Sequence, residues 1–586
     1  MRPLRMLTAL AAALVVGGCG GLTTEGPVQP GLEVGAEEAP SSNLRYVFPG
    51  PRSGDSPEEV VSGFLRAGAA SDGLYDNARA FLTVTVAEQW NPDAHLVLLA
   101  DDTPPTTTLV DDTHVRVTAT PAGTVDEDGR FTPAAPDAEV SAEFTLTDAS
   151  DEWRVSELPA GFGRWIQGGD VFRLVQPYSL TYVSTSQRAT VPDVRWFPLD
   201  KLVTRLARAQ LEPVPAYLEG AAETAVPEGA RLLGDAVSVD ETGLATVDLV
   251  GPGLDPEAPT RQDLWAQFIT TLSQDLSVTR IALSVNGTPV DLPGLDGPAA
   301  SLADVGYPSR PTTDLALPVV RRGAEVTVFD PSGTVQGDAQ PSTGEYPEVP
   351  SGYTHLALSP DGAELSAVDP GGAGLSRWRD DTRYEVPDFG TDVGAPAYDR
   401  RGWLWAGGVG SGDDRLWVVD LAADPTDPEA AAATSVRAGW LAGRRVVEAR
   451  PSAAGDRVAV LSTEADGSRP RVDLAGVVRG SGGRPEQLAE PMELSTTVRG
   501  AQGLTWVDNT QVATIARVGS QPPAPIVLGV DRSVRALPEV DGAESITSTG
   551  GERDLYVVTD EGRLMARGSP GWVDNGPADD LAVAGG

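Results

Sequence analysis

From about residue 350 onward one pattern recurs: a short apolar β segment, a tight turn rich in Gly and Asp, and a second apolar segment. Thr354–Ser359 runs into Pro360-Asp361-Gly362 and then Leu365–Val368; Pro396–Asp399 runs into Arg401-Gly402 and Leu404–Ala406; Glu448–Ser452 runs into Gly455-Asp456 and Val458–Leu461. Gly503–Asp508 leads in the same way to Val512–Ile515, and Ser545–Ser548 to Leu555–Val558. Third strands follow at Arg415–Asp420 and Pro525–Val530. The starts are spaced by roughly 40–55 residues, the period of a repeat that cannot bury its own faces and must stack on its neighbours. Several strands per repeat point to a β-propeller. Five blades are visible, and Leu315–Val320 with Val326–Asp330 could supply or close another; one β-sandwich or two is the competing arrangement. A propeller by itself does not name an activity.

Upstream the patterning differs. Residues 189–295 predict an αββαβ order. Leu199, Leu202, Val203 and Leu206 lie on one face of a helix, Val237, Val239, Val247 and Leu249 suggest paired strands around Asp240–Gly243, and Leu264, Trp265, Phe268 and Leu272 mark a second helix. Ile281, Leu283 and Val285 then form a strand ending in the hairpin signal Asn286-Gly287. Residues 46–188 open with helices and continue as antiparallel strands. Ser56-Pro57-Glu58-Glu59 is a capping box with proline in the first helical turn, ahead of Val60, Val61, Phe64 and Leu65. Tyr75, Ala78 and Leu82 suggest a second helix, and Val140, Ala142, Phe144 and Leu146 alternate as a half-buried strand. The expected fold class is therefore multidomain: an N-terminal α+β domain (46–188), an α/β domain (189–295) and a C-terminal all-β propeller (296–586).

Residues 1–18 carry a different signal. Arg2 and Arg5 precede an apolar run, Met6–Val16, too short to span a bilayer, with the layout of a secretory leader. The small residues Gly17 and Gly18 follow, and then Cys19, the one cysteine in 586 residues. A lone cysteine excludes an internal disulfide and a cysteine metal cluster. Val16-Gly17-Gly18-Cys19 resembles the bacterial lipobox, which implies cleavage between Gly18 and Cys19 and a diacylglyceryl group on the thiol. Two acyl chains suffice for stable anchoring. Residues 19–45, rich in Gly, Pro, Glu and Ser, are expected to tether the folded part to the outer face of the cell membrane. With a formal net charge of −40, the chain is repelled by nucleic acid and by anionic headgroups, so lipid rather than electrostatics must hold it at the bilayer.

Few residues suggest chemistry. His95, His114 and His355 are far apart in sequence and lack metal-ligand spacing. No Gly-x-Ser-x-Gly or Walker sequence occurs, and Gly408-Val409-Gly410-Ser411-Gly412 falls between two propeller strands and reads as a turn. Asp101-Asp102, Asp111-Asp112 and Asp413-Asp414 sit in loops of a very acidic chain. Asp248, within a strand, reads as surface-facing. The expectation is a protein without catalytic residues, cofactor or metal.

Ser56-Pro57-Glu58-Glu59-Val60-Val61, Gly63–Ala67, Ala78-Arg79, Phe81-Leu82-Thr83 and Trp90-Asn91-Pro92 resemble the opening of the actinobacterial LpqB lipoprotein family. Val226-Pro227-Glu228-Gly229, Ala245–Leu249, Gln267–Leu272, Val278, Ile281 and Asn286-Gly287 look like a GerMN domain. The order lipobox, α+β opening, GerMN-like domain, propeller is similar to that family over nearly the whole chain. The resemblance implies binding to the extracytoplasmic part of the sensor kinase MtrB of the Mtr two-component system, with effects on envelope homeostasis and division. From the residues alone, an envelope enzyme acting on peptidoglycan or polysaccharide, and a structural or ligand-binding envelope protein, both stay open.

Overall fold

The computed structural model describes residues 48–585 apart from 70–74, 102, 136, 149–151, 252–257, 293, 296, 309–315, 331–345, 388 and 411. Its first helix, Pro57–Gly68, begins as its sequence demands. Ser56 Oγ accepts from Glu59 N (3.3 Å) and the Glu59 carboxylate accepts from Ser56 N (2.8 Å), which satisfies two otherwise orphaned amides. The helix buries Val60, Val61, Phe64 and Ala67. The second expected helix is split into short turns, Asp76–Arg79 and Val84–Gln89. Two four-stranded sheets complete the domain. In one, Thr106–Leu109, His114–Ala119, Val140–Asp148 and Trp153–Glu157 lie side by side; in the other, Leu96–Leu99 pairs with both Pro121–Val125 and Arg164–Ile166. Val140–Asp148 alternates buried and open positions as one solvated face requires.

The second domain begins earlier than the boundary drawn at 188/189, which falls in the turn of a long hairpin. Val175–Ser184 and Thr190–Pro198 pair over nine positions, from Thr190 with Val183 to Pro198 with Val175. Both strands lie with helices Leu202–Ala209 and Ala258–Leu272, held there by buried glutamines. Gln210 Oε1 accepts from Thr181 N (2.9 Å) and Thr271 Oγ1 (2.6 Å), while its Nε2 donates to Thr181 O (2.8 Å). Gln267 Nε2 also donates to Thr181 O (2.8 Å). Amides in an apolar core are retained only when so paired. The expected strands are present: Leu244–Val250 runs parallel to Arg280–Val285, joined through helix Ala258–Leu272, and Asn286-Gly287 turns the chain with both residues at positive φ (49° and 75°).

The third region closes into six blades. Blades 2 to 6 are successive four-stranded antiparallel sheets that start at Thr354, Ala397, Arg444, Val498 and Ala543; blade 4 carries an extra short strand, Met492–Glu493. Blade 1 is composite. Val319–Arg322 pairs with Glu325–Val328 on one side and with Asp580–Ala582, the last strand, on the other. That strand sits beside the inner strand of blade 2, where Leu358 bridges Ala584. Val319 and Ala582, 263 positions apart, thus share a sheet, and this pairing closes the ring among the described residues. Glu364–Val368 and Leu416–Asp420 are buried along almost their whole length, because each sheet is covered by a neighbouring blade on both faces.

Domain junctions and candidate binding surfaces

The second domain is fused to the propeller by one continuous apolar core. Leu218 and Ala222 belong to the same buried cluster as Leu474 of blade 4 and Leu504 and Leu528 of blade 5. Gly476 permits the contact: a Cβ there would stand 2.7 Å from Ala221 Cβ and 3.1 Å from Tyr217 O. Around this core lies a polar ring. Asp456, in the first turn of blade 4, accepts from Ser184 Oγ (2.6 Å) and Gln187 Nε2 (3.1 Å) of the hairpin turn, and Arg401 of blade 3 donates to Ser186 Oγ (2.7 Å). Arg457 is buried beside it. Its guanidinium reaches Pro192 O (3.3 Å) and Asn509 O (2.7 Å) and lies 5.3 Å from the ring centre of Trp506. Burial depresses its basicity, while nearby Tyr217 and Asp456 oppose that effect. Tyr217 donates to Asp193 (3.0 Å) and is held far above the ordinary phenol range by burial first and by that carboxylate second.

The first domain is joined to the second by charge and by close backbone approach. Arg205 bridges Asp93 of the first domain (2.9 Å) and Asp200 of the second (2.8 Å), and Arg164 also holds Asp93 (3.1 Å). Gly129, at φ +80°, accepts from Trp196 N (2.7 Å); a Cβ there would meet Trp196 O at 2.8 Å. Trp196 also touches the propeller, donating from Nε1 to Asp531 O of blade 5 (3.3 Å). All three domains meet at this tryptophan.

Among the described residues, those weighed for chemistry are not brought together. His114 pairs with Asp111 in an exposed hairpin turn (2.8 Å), His95 precedes the strand Leu96–Leu99, and His355 is exposed at positive φ on the inner strand of blade 2. Asp248 accepts from Gly287 N (3.3 Å) and so braces the Asn-Gly turn. The glycine-rich stretch lies between two paired strands of blade 3, and Gly410 N donates to Asp414 O (3.0 Å). Among the described residues, no group of three His, Cys, Asp or Glu side chains is placed to hold a metal, and no helix is long and apolar enough to cross a membrane. Gly18 and Cys19 lie outside the described residues. The junction residues Asp456, Arg457, Ser184 and Gln187 were not legible as a set, because they read as ordinary turn residues of separate repeats.

These features define a multidomain propeller protein in which an α+β domain and a GerMN-type domain are built rigidly onto the blades. Three family models match in the same order: "Lipoprotein LpqB, N-terminal domain" over residues 50–171, "Sporulation and spore germination" over 178–291, and "Lipoprotein LpqB beta-propeller domain" over 332–580. The chain belongs to the LpqB lipoprotein family, a membership that implies anchoring to the membrane by lipid. Lipoprotein LpqB of Thermobifida fusca is 25% identical over 515 residues, covering 78% of this chain and 79% of that one. Its counterpart in Cutibacterium acnes is 28% identical over 295 residues, covering 50% of this chain and 48% of the relative, so that match spans about half of the relative's length. Among solved structures, the β-propeller domain of Myceliophteria thermophila Cps50 (Swd1) aligns at 14% identity over 41% of this chain and 75% of that one with a TM-score of 0.29, too slight a likeness to carry any argument.

Proposed function

We propose that this protein is a lipoprotein anchored through Cys19 on the extracytoplasmic face of the cell membrane, where it binds the sensor kinase MtrB and modulates signalling by the Mtr two-component system, and through it envelope homeostasis and division. Family membership supports the reading. The structural observation that carries it is the shared core between the GerMN-type domain and blades 4 and 5. A partner that grips any one domain then meets a single body, and the load passes to the others without a hinge at that junction. The test is crosslinking in cells, comparing the intact protein with forms that lack the propeller or the GerMN-type domain. A direct, stoichiometric kinase adduct with the intact form is expected. Absence of an adduct in every form removes the kinase from the function.

A further inference from the structure

Charge is unevenly spread along the chain. Its 84 acids outnumber 44 basic residues, yet the stretch 444–529, which forms blades 4 and 5, carries ten arginines against nine acids. Within these blades Arg450, Arg471 and Arg479 each hold a carboxylate, Glu448 (3.1 Å), Asp473 (2.7 Å) and Asp399 (2.9 Å). Arg445, Arg499 and Arg517 differ: among the described residues none meets a carboxylate within ion-pair distance. Arg499 donates only to the carbonyls of Thr496 and Val498 (2.9 Å each), and the side chains of Arg445 and Arg517 make no hydrogen bond.

All three lie on one face of the propeller. In blade 4 the ladder of the first two strands runs from Pro451 opposite Val458, beside Asp456 and the docked hairpin turn, to Arg444 opposite Glu464 at the far end. Arg445 belongs to that far end. In blade 5 the ladder runs from Asp508 opposite Gln511 to Val498 opposite Val518, and Arg499 stands directly opposite Arg517 at the same far end. Arg499 and Arg517 are exposed and Arg445 is half-buried. Arg445 faces Thr463 across its ladder; Thr463 is 6% exposed, and its Oγ1 and Arg445 Nε are both buried without a partner among the described residues. Like charges opposed on a ladder, and a guanidinium partly stripped of water beside an unpaired hydroxyl, are unfavourable arrangements that a bound anion relieves.

The rest of the charge narrows the ligand. A membrane or a long polyanion would meet the whole body of net charge −40. A short segment feels only charges within a Debye length, about 8 Å at physiological ionic strength. Facing sheets pack roughly 10 Å apart, so Arg445 on one blade and the Arg499–Arg517 pair on the next match carboxylates about three residues apart on an extended chain. The planar guanidinium takes a carboxylate through two parallel hydrogen bonds.

We propose that this face of blades 4 and 5 docks an extended acidic segment of a partner protein, whose carboxylates pair with Arg445, Arg499 and Arg517. The inference does not depend on the kinase reading. The full-length lipoprotein in nanodiscs is titrated with a fluorescent decaglutamate peptide that carries a photocrosslinker, with decaglutamine and linear polyphosphate as comparisons. Saturable binding that weakens with added salt is expected, with adducts in peptides spanning 444–450 or 496–518. Arg445→Gln is expected to weaken binding about tenfold. Arg499→Gln combined with Arg517→Gln, on exposed side chains, is expected to weaken it about fivefold. Arg484→Gln, which breaks an ion pair with Glu486 (3.2 Å) at the opposite end of blade 4, is expected to leave it unchanged. Thermal melting of each variant confirms folding. No binding, equal binding of decaglutamine, adducts confined to other segments, or full affinity in the folded double variant overturns the proposal. Polyphosphate that binds this face more tightly per charge than decaglutamate overturns the acidic-peptide assignment in favour of a phosphate polymer.

Discussion

Ser184 Oγ stands 2.6 Å from Asp456 Oδ1, across 272 positions of sequence, and joins the hairpin turn of the second domain to the first turn of blade 4. Asp456 is 3% exposed, so its carboxylate depends on these donors for the solvation it has lost. Asp456→Ala is expected to lower stability by about 3 kcal/mol and to open the hairpin turn near 184–189 to protease before global unfolding. The denaturation midpoint and the order of proteolytic cuts check this. An unchanged midpoint would show that the apolar core alone holds the junction.

Within the propeller, Glu364 of blade 2 is sealed by Arg377 (2.7 Å), Arg379 (2.9 Å) and the Tyr398 hydroxyl of blade 3 (2.9 Å). Removing one partner strands a buried charge. Arg377→Met is expected to cost about 3–5 kcal/mol, and Glu364→Gln combined with it to recover part of that loss. A double-mutant cycle in urea reads the coupling; strict additivity would mean that the pair does not act as a unit.

The ring is closed by Asp580–Ala582 pairing with Val319–Arg322, and Asp580 also accepts from Leu356 N of blade 2 (2.7 Å). Deleting residues 578–586 removes the inner strand of blade 1 and exposes edges on two blades. The expected result is a broadened, lower-temperature unfolding transition with early protease cuts in blade 1. A sharp transition at the original temperature would contradict closure by this strand.

His114 Nδ1 donates to Asp111 Oδ1 over 2.8 Å, and that hydrogen bond raises the histidine pKa above its ordinary value, while the Thr113 amide first and His114 second lower the Asp111 carboxyl to about 2. For a raised histidine, the favourable interaction is complete below the unfolded value and is lost as pH climbs through the folded one. Asp111→Asn is expected to return the His114 titration, followed by NMR, toward about 6.5. A His114 midpoint that does not move would assign the shift to something other than Asp111.

Cys19→Ser is expected to block acyl labelling and to release the protein from the membrane fraction. Metabolic labelling with an acyl analogue reads this directly, and retained label would place the lipid on another residue.

Local signals carried a good part of the architecture. The capping box at Ser56–Glu59, the Asn286-Gly287 turn and the repeated strand–turn–strand units each depend on neighbours a few residues apart, and each appears where the chain predicts it. The helix expected across Tyr75–Leu82 did not form as one piece, because Tyr75 takes a left-handed conformation and the chain turns again before Val84. The hairpin 175–198 was missed because its buried positions include Asp193 and Arg195, which pair with each other at 2.8 Å and break any apolar alternation.

Repeat period, turn chemistry and apolar spacing by themselves determined the order of domains and the kind of each. Tertiary structure alone decided which strand closes the ring, which carboxylate faces which hydroxyl across the junction, and which tryptophan touches all three domains. The reason is physical: turns and faces are set by residues within a few positions, whereas a junction or a cavity is made by surfaces whose residues share no sequence neighbourhood and meet only once the cores have packed.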